Sequence, residues 1–269
     1  MINVITQFYE VNYPNNNDKR LQRARQDEIT LCFKNNLKHR DVKKIHFLYE
    51  TEKDVKFLEK EGVDIKDPKI VLYNLGKRMK YDVIFDYANT YLPNELCVYL
   101  HADMCVDVGF NKLTLENMEN KVYSLTSHNL NCNRRFICNC TRQFNTSRGY
   151  YGVTFDGFVF KTPVKESVVK EANHCVQRLG GETRLISILK DNEYEVLCPN
   201  QCVRCNHLHD VKLFHTFTKK DWITRDGSSK PQAYYSEIHR KQVNLPWEQK
   251  IVGGGIPFFN GSCKMIDSI

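Results

Sequence analysis

The segment Glu95-Leu96-Cys97-Val98-Tyr99-Leu100-His101-Ala102-Asp103-Met104-Cys105-Val106-Asp107 decides the fold. Its opening, Glu95–Leu100, is a near-continuous apolar run, the mark of a strand covered on both faces inside an α/β sheet. The run breaks at once into His101-Ala102-Asp103, with Asp107 close behind. In open α/β sheets ligands bind just beyond the carboxyl ends of the central strands. Two acids at that place are therefore candidates for chemistry. The plainer reading is that Asp103 caps a turn and Asp107 is a solvated loop residue.

Upstream, strand-like and helix-like segments alternate at short spacing, which argues for βαβ units. Met1–Tyr9 reads as a strand and Asn12–Asn17 as a loop. Ile29, Cys32, Phe33 and Leu37 place a helix over Asp18–Leu37. Lys44–Tyr49 and Lys69–Tyr73 read as strands on either side of a helix, Thr51–Glu61, that Gly62 stops. Ile84, Tyr87, Ala88 and Tyr91 share a helical face. Downstream, Lys121–Thr126, Arg134–Asn139 and Val153–Phe160 read as strands, the last with Asp156 embedded in it. Val168, Ala172, Cys175, Val176 and Leu179 predict a helix ending at Gly180-Gly181. Glu182 opens another, which buries Leu185, Ile188 and Leu189, and Tyr194–Cys198 is a further strand. After about Phe217 the pattern fades into a basic tail. The expected organisation is one α/β domain over residues 1–217 and a C-terminal arm over 218–269 packed on it.

The 269 residues are 41% hydrophobic and 12% aromatic, enough for a core, which sets disorder aside. The net charge of +7 fits a phosphate-bearing ligand. Lys and Arg are scattered, which is poor ground for a nucleic-acid partner. No apolar run of about 18 residues is present, so no integral membrane segment is expected. Met1–Tyr9 has neither a charged n-region nor a cleavage site, so no signal peptide is expected and the cytoplasm is the expected compartment. The eleven cysteines are then read as buried free thiols or metal ligands, not as a disulfide scaffold.

A sugar nucleotide needs its diphosphate neutralised before the sugar–phosphate bond breaks, and a divalent cation held by carboxylates does this as a Lewis acid. His101-Ala102-Asp103, with Asp107, is a short acid motif at a strand end that can hold one. Glu182 follows Gly180-Gly181 at a helix start, where it is either a general base on an acceptor hydroxyl or an ordinary first-turn acid. Asp156 lies among Phe155, Phe158 and Phe160, and a buried unpaired carboxylate is costly, so it should face a site or a partner. His207 and His209, two apart, share a face if extended and are candidates to complete a cation shell. Imidazole with carboxylates suits Mn²⁺ better than Ca²⁺. Lys77-Arg78 is a basic pair that could meet a diphosphate. A rival reading uses Cys198, Cys202, Cys205, His207 and His209 as a structural zinc site in a nucleic-acid-binding protein, with Cys132, Cys138 and Cys140 as further thiols. The second ligand pair of a typical finger is missing downstream.

Taken in order, these motifs resemble a family of GT-A glycosyltransferases of bacteria and large DNA viruses, over about the first 217 residues. Ile2-Asn3-Val4-Ile5-Thr6-Gln7-Phe8-Tyr9 is similar to the family's opening strand, and Arg78-Met79-Lys80-Tyr81-Asp82 to its basic loop. Leu100–Asp107 is similar to its DXD-type acidic motif, with His101 at the first acid position. Asp156-Gly157-Phe158-Val159-Phe160-Lys161, Gly180–Arg184 and His207-Leu208-His209 follow where the family has corresponding motifs, Glu182 standing where it often has Asp.

The resemblance implies a GT-A-like, Rossmann-related mixed sheet and divalent-metal-dependent sugar transfer from a UDP- or GDP-linked donor to a glycan or glycoconjugate hydroxyl. It implies nucleotide-sugar binding by Gln7, Tyr9, Arg78, Asp82 and His101. Mn²⁺ or Mg²⁺ would be held by Asp103, His209, His207 and Asp107, with catalysis by Glu182 and Asp156. Inversion and retention of configuration both stay open.

Overall fold

The computed structural model describes residues 1–12, 18–125, 127–129, 155–176, 181–197, 199 and 203–208. In chain order the elements are β1 (Ile2–Thr6), α1 (Lys19–Lys38), β2 (Val42–Tyr49), α2 (Glu52–Lys60), β3 (Ile70–Asn74), α3 (Tyr81–Tyr91) and β4 (Leu96–Leu100). They continue with β5 (Met104–Val106), β6 (Lys121–Leu125), β7 (Ser127–Asn129), β8 (Gly157–Lys161), α4 (Glu166–Glu171), α5 (Gly181–Asp191), β9 (Glu195–Leu197) and β10 (Cys205–His207).

The main sheet has the order β3-β2-β1-β4-β8-β6-β9. All its strands run parallel except β8, which is antiparallel to β4 and β6. A second sheet, β5-β10-β7, stands beside it. Strand β4 is buried along its whole length. Its Cys97 and Tyr99 join the core under α3, α4 and α5, while Leu96, Val98 and Leu100 join the core under α1 and α2. This is the doubly covered central strand expected from Glu95–Leu100. The described cysteines 32, 97, 105, 175 and 205 are free thiols, and all but Cys175 are buried. Among the described residues no helix is long and apolar enough to cross a membrane.

Helix α1 begins where Asp18 accepts from the backbone N–H groups of Arg20 (2.9 Å) and Leu21 (3.2 Å). Its buried face carries Ile29, Cys32 and Phe33 as expected, but continues toward the N-terminus through Gln22, Arg25 and Gln26.

The sequence reading differs from the structure in three places. The helix expected over Val168–Leu179 stops at Glu171. The chain there turns to serve α3: the carbonyls of His174 and Ala172 accept from the N–H groups of Tyr81 and Asp82, each at 3.1 Å. These helix-start donors have no partner inside their own helix. Asp156 precedes β8 instead of lying in it, because the β4–β8 ladder closes at Leu100↔Gly157 where β4 ends. His207 lies in strand β10, not after a strand, and the small sheet that holds it is built from pieces too short to show a period. The strand expected over Arg134–Asn139 and the arm over 218–269 fall outside the described residues.

A buried polar thread crosses the sheet. His46 Nδ1 lies 2.8 Å from the Tyr87 hydroxyl and its Nε2 3.3 Å from Asn3 Oδ1. Burial, aided by Lys44, lowers the His46 pKa from 6.5 to about 4. Below pH 6.5 the unfolded chain therefore takes a proton that folded His46 refuses, and stability falls until about pH 4. His174, lowered to about 4 mainly by burial, acts in the same window. Urea unfolding measured across that range should show stability declining with falling pH. His46→Gln should flatten the slope by up to one proton's worth, about 1.4 kcal/mol per pH unit.

Candidate active site

The carboxyl end of β4 is held by its antiparallel neighbour. His101 N–H donates to the Asp156 carbonyl (3.2 Å) and Asp156 N–H to the Leu125 carbonyl (3.2 Å), so the three strand ends meet. Gly157 makes the close approach possible: a Cβ there would lie 2.8 Å from Leu100 Cδ2 and 3.0 Å from the Tyr99 carbonyl. Met104 N–H then donates to the His101 carbonyl (3.0 Å), closing the turn that aims Asp103 inward.

Asp103 is nearly buried and its charge is met from two sides. Its Oδ2 accepts from the Arg25 guanidinium on α1 and from His207 Nε2 (2.9 Å) on β10. Arg25 Nη1 also donates to Glu28 Oε2 (2.8 Å) and to the Leu208 carbonyl (2.7 Å). Burial disfavours the His207 imidazolium, but the Asp103 charge and hydrogen bond outweigh it, so the His207 pKa lies above its ordinary value. A carboxylate oxygen and an imidazole nitrogen in contact are donors of the kind Mn²⁺ takes. Two of the four predicted ligands thus come together. Asp107 instead pairs with Arg204, whose Nε and Nη2 both lie 2.5 Å from its Oδ2, and His209 is outside the described residues. Among the described residues no group of three or more His, Cys, Asp or Glu is gathered to hold an ion.

A second cluster joins the other predicted acids. His101 Nδ1 is 4.0 Å from Asp156 Oδ1, and its Nε2 is 3.7 Å from Glu182 Oε1 in the first turn of α5. Burial, reinforced by Asp156 and opposed by His101, raises the Glu182 pKa from 4.5 to about 7. Around it, the Tyr81 and Tyr99 hydroxyls, His101 Nε2 and Asp156 Oδ2 are buried without a hydrogen-bond partner among the described residues. Such groups are costly in a folded protein, and their convergence on two carboxylates is what a polar ligand would satisfy. His101, expected to bind the nucleotide, sits with these acids.

The predicted nucleotide residues divide. Gln7, Tyr9 and Arg78 line a cavity of about 310 Å³ beyond the carboxyl ends of β1 and β2. Glu50 organises it: its Oε1 accepts from Gln7 Nε2 (3.2 Å) and the Met79 N–H (3.4 Å), with Arg78 Nε 3.9 Å away. Asp82 does not line this cavity; its Oδ1 accepts from the Val83 N–H (2.9 Å) at the start of α3. Gln26 fixes the wall, accepting from Val11 N–H (2.7 Å) and donating to the Tyr9 carbonyl (3.3 Å). Adjacent residues of α1, Arg25 and Gln26, thus brace the acid turn and the cavity. Of the proposed zinc ligands only Cys205 and His207 are described. Burial pushes the Cys205 thiol pKa well up, and His207 faces Asp103.

Sequence reasoning missed Arg25, Gln26, Glu28, Glu50, Tyr81 and Tyr99. The first two left a signal: Gln22, Arg25 and Gln26 continue the apolar face of Ile29 and Phe33 at helical spacing. The others left none, since they become neighbours only through the fold.

No protein-family model matches this chain, and no curated protein matches it. In fold it is similar to the mannosyltransferase PcManGT from Pyrobaculum calidifontis, solved with GDP-Man and Mn²⁺. The TM-score is 0.50 at 11% identity, over 99% of this chain and 74% of that one. S. aureus TarS 1-349 in complex with UDP-GlcNAc is similar at TM-score 0.47 and 10% identity, over 94% of this chain and 74% of that one. The fold, a mixed seven-stranded sheet flanked by helices, is GT-A-like.

Between pH 4.5 and about 7 the unfolded chain loses a proton that folded Glu182 keeps, so this group's contribution to stability is present below that window and lost as pH rises through it. Glu182→Gln should therefore be more stable than the parent at about pH 8, by about 1–3 kcal/mol, with the gap closing near pH 4.5. Denaturant unfolding of both proteins at the two pH values measures this.

Proposed function

We propose that this protein transfers a sugar from a nucleoside-diphosphate sugar to a hydroxyl of a glycan or glycoconjugate. The observation that carries the reading is the pairing of Glu182 and Asp156 around His101 at the carboxyl end of the central strand, with unsatisfied buried polar atoms converging on it. In a GT-A-like fold this is where donor and acceptor would meet. The cavity bounded by Gln7, Tyr9 and Arg78 would take the nucleotide, and the exposed Arg78 guanidinium would steady its diphosphate.

With a pKa near 7, Glu182 is matched to general-base work at neutral pH. It would take the proton of the acceptor hydroxyl as that oxygen bonds to the anomeric carbon, while the bond from that carbon to the diphosphate oxygen breaks and the nucleoside diphosphate leaves. This favours inversion. Asp156 would bind sugar hydroxyls through the oxygen it leaves unpaired, and His101 would hold the two carboxylates apart. Asp103 and His207, with His209, would hold Mn²⁺ or Mg²⁺, which when bound would neutralise the departing diphosphate. The cytoplasm, where sugar nucleotides are made, is the proposed compartment.

A panel of UDP- and GDP-linked sugars, scored for nucleoside-diphosphate release with and without chelator, tests the reading. Release should depend on the cation, and Asp103→Ala should abolish it. Glu182→Gln should lower kcat by about 10²–10⁴-fold. The parent kcat/KM should rise with pH through about 7 as Glu182 loses its proton. Pyrophosphate release from a nucleoside triphosphate, with no use of any sugar nucleotide, would replace the reading with nucleotidyl transfer.

A further inference from the structure

We propose that Gln26 is a positioning residue for the nucleotide cavity: its side-chain amide takes the place of a neighbouring strand for residues 9–11 and sets the wall against which the nucleoside binds. The inference rests on the reading of that cavity as the nucleotide site.

Strand β1 pairs with β2 as far as Thr6↔Phe47 and with β4 as far as Ile5↔Tyr99, and there the ladder ends. The chain nevertheless stays inside the protein. Phe8 is buried among Phe33, Phe47 and Phe57, at ring-centroid distances of 5.8, 6.5 and 6.1 Å, and Val11 is buried as well. Buried main-chain N–H and C=O groups need partners, and past Thr6 the ladder no longer supplies them. Gln26 on α1, 4% exposed, takes over. Its Oε1 accepts from the Val11 N–H (2.7 Å) and its Nε2 donates to the Tyr9 carbonyl (3.3 Å). A residue of a parallel neighbouring strand bonds in the same way, to one carbonyl and to the N–H two residues on. One side-chain amide thus continues the sheet by a rung where no strand is present.

The consequence falls on the cavity. Its lining includes Tyr9, Glu10, Val11 and Asn12 from this segment, together with Glu50 and Arg78. Gln26 does not line it and acts through the backbone it holds. The start of the segment is fixed separately, where Gln7 Nε2 donates to Glu50 Oε1 (3.2 Å). The wall is therefore pinned at two points, and only the second depends on Gln26. Methionine fills a similar space but offers neither the donor nor the acceptor, and asparagine keeps both but stands one methylene back. Either change frees Tyr9–Val11 to shift, and a displacement of about 1 Å is enough to spoil a binding geometry.

The same helix supplies a control. Arg23 grips Glu61 at the end of α2 with both nitrogens, at 2.7 and 2.8 Å, and neither residue lines the cavity. Its loss should loosen α1 without moving the wall.

The test uses the full chain as the parent, Gln26→Met, Gln26→Asn and Arg23→Met. Circular dichroism and melting report the fold, and calorimetric titration with UDP and with GDP reports the cavity. Nucleoside-diphosphate release is assayed with whichever sugar nucleotide the parent uses. Folded Gln26→Met should bind the parent's preferred nucleotide about 10–100-fold more weakly and show a KM raised by a similar factor, with kcat at saturation close to the parent's. Should Gln26→Met not fold, Gln26→Asn is read in its place, with the same expectation. A merely structural role would lower the folded fraction and leave KM where it was. Arg23→Met should melt earlier with nucleotide affinity unchanged. Parent-like affinity and KM in the folded Gln26 variant, or no binding of UDP or GDP by the parent, would overturn the inference. If the parent binds a nucleotide and the Gln26 variant binds it weakly, yet the parent releases nothing from any sugar nucleotide, the positioning role stands and the transferase reading falls.

Discussion

A carboxylate withdrawn from water has to be answered by charge or by hydrogen bonds, and the answer given to Asp103 organises this molecule. Strand β4 delivers the acid to the end of a sheet covered on both faces, where little solvent is left to stabilise it. Its compensation comes from Arg25 on the first helix and His207 on the last described strand. That requirement ties residues at both ends of the described chain to one point. It also explains why Arg25 lies on the buried face of α1, in line with Ile29 and Phe33, where an ordinary amphipathic helix would present hydrocarbon.

Charge is handled differently at the acids beside His101. Asp103 is met by Arg25 and His207, whereas Asp156 and Glu182 flank His101, and the buried Tyr81 and Tyr99 hydroxyls beside them have no hydrogen-bond partner among the described residues. Burial, with a smaller push from Asp156, disfavours the charged form of Glu182 and raises its pKa. A fold optimised for stability alone would have filled this space with hydrocarbon or supplied a cation. Keeping it under-compensated costs stability, which supports the proposed use of these acids in chemistry.

Much of the architecture was legible in the sequence because it rests on period and burial. Glu95–Leu100 announced a doubly covered strand, and the alternating segments before it announced parallel βαβ units. Glu182, Asp156 and His101 were each singled out, and the fold brings them into one cluster. What stayed hidden depends on contacts across long stretches of chain. Arg25 looked like one of many basic residues until the packing of α1 placed it against Asp103. Asp107 looked like a cation ligand because only the acidic motif was visible; Arg204, its partner, lies 97 residues away. The short helix α4 reads as a longer one because apolar spacing cannot show that the backbone after it is needed to cap α3.

The central claim is that a nucleotide sugar lies across the carboxyl end of β4, between the cavity beside Gln7 and the acids around His101. Hydrogen–deuterium exchange with and without UDP- and GDP-linked sugars, in the presence of Mn²⁺, tests it directly. Exchange should slow together in residues 7–12, 99–107 and 181–186, the segments that carry the cavity wall, the acid turn and the Glu182 helix start. Protection in none of these segments with any donor, or protection confined to the far edge strand β3, would contradict the account.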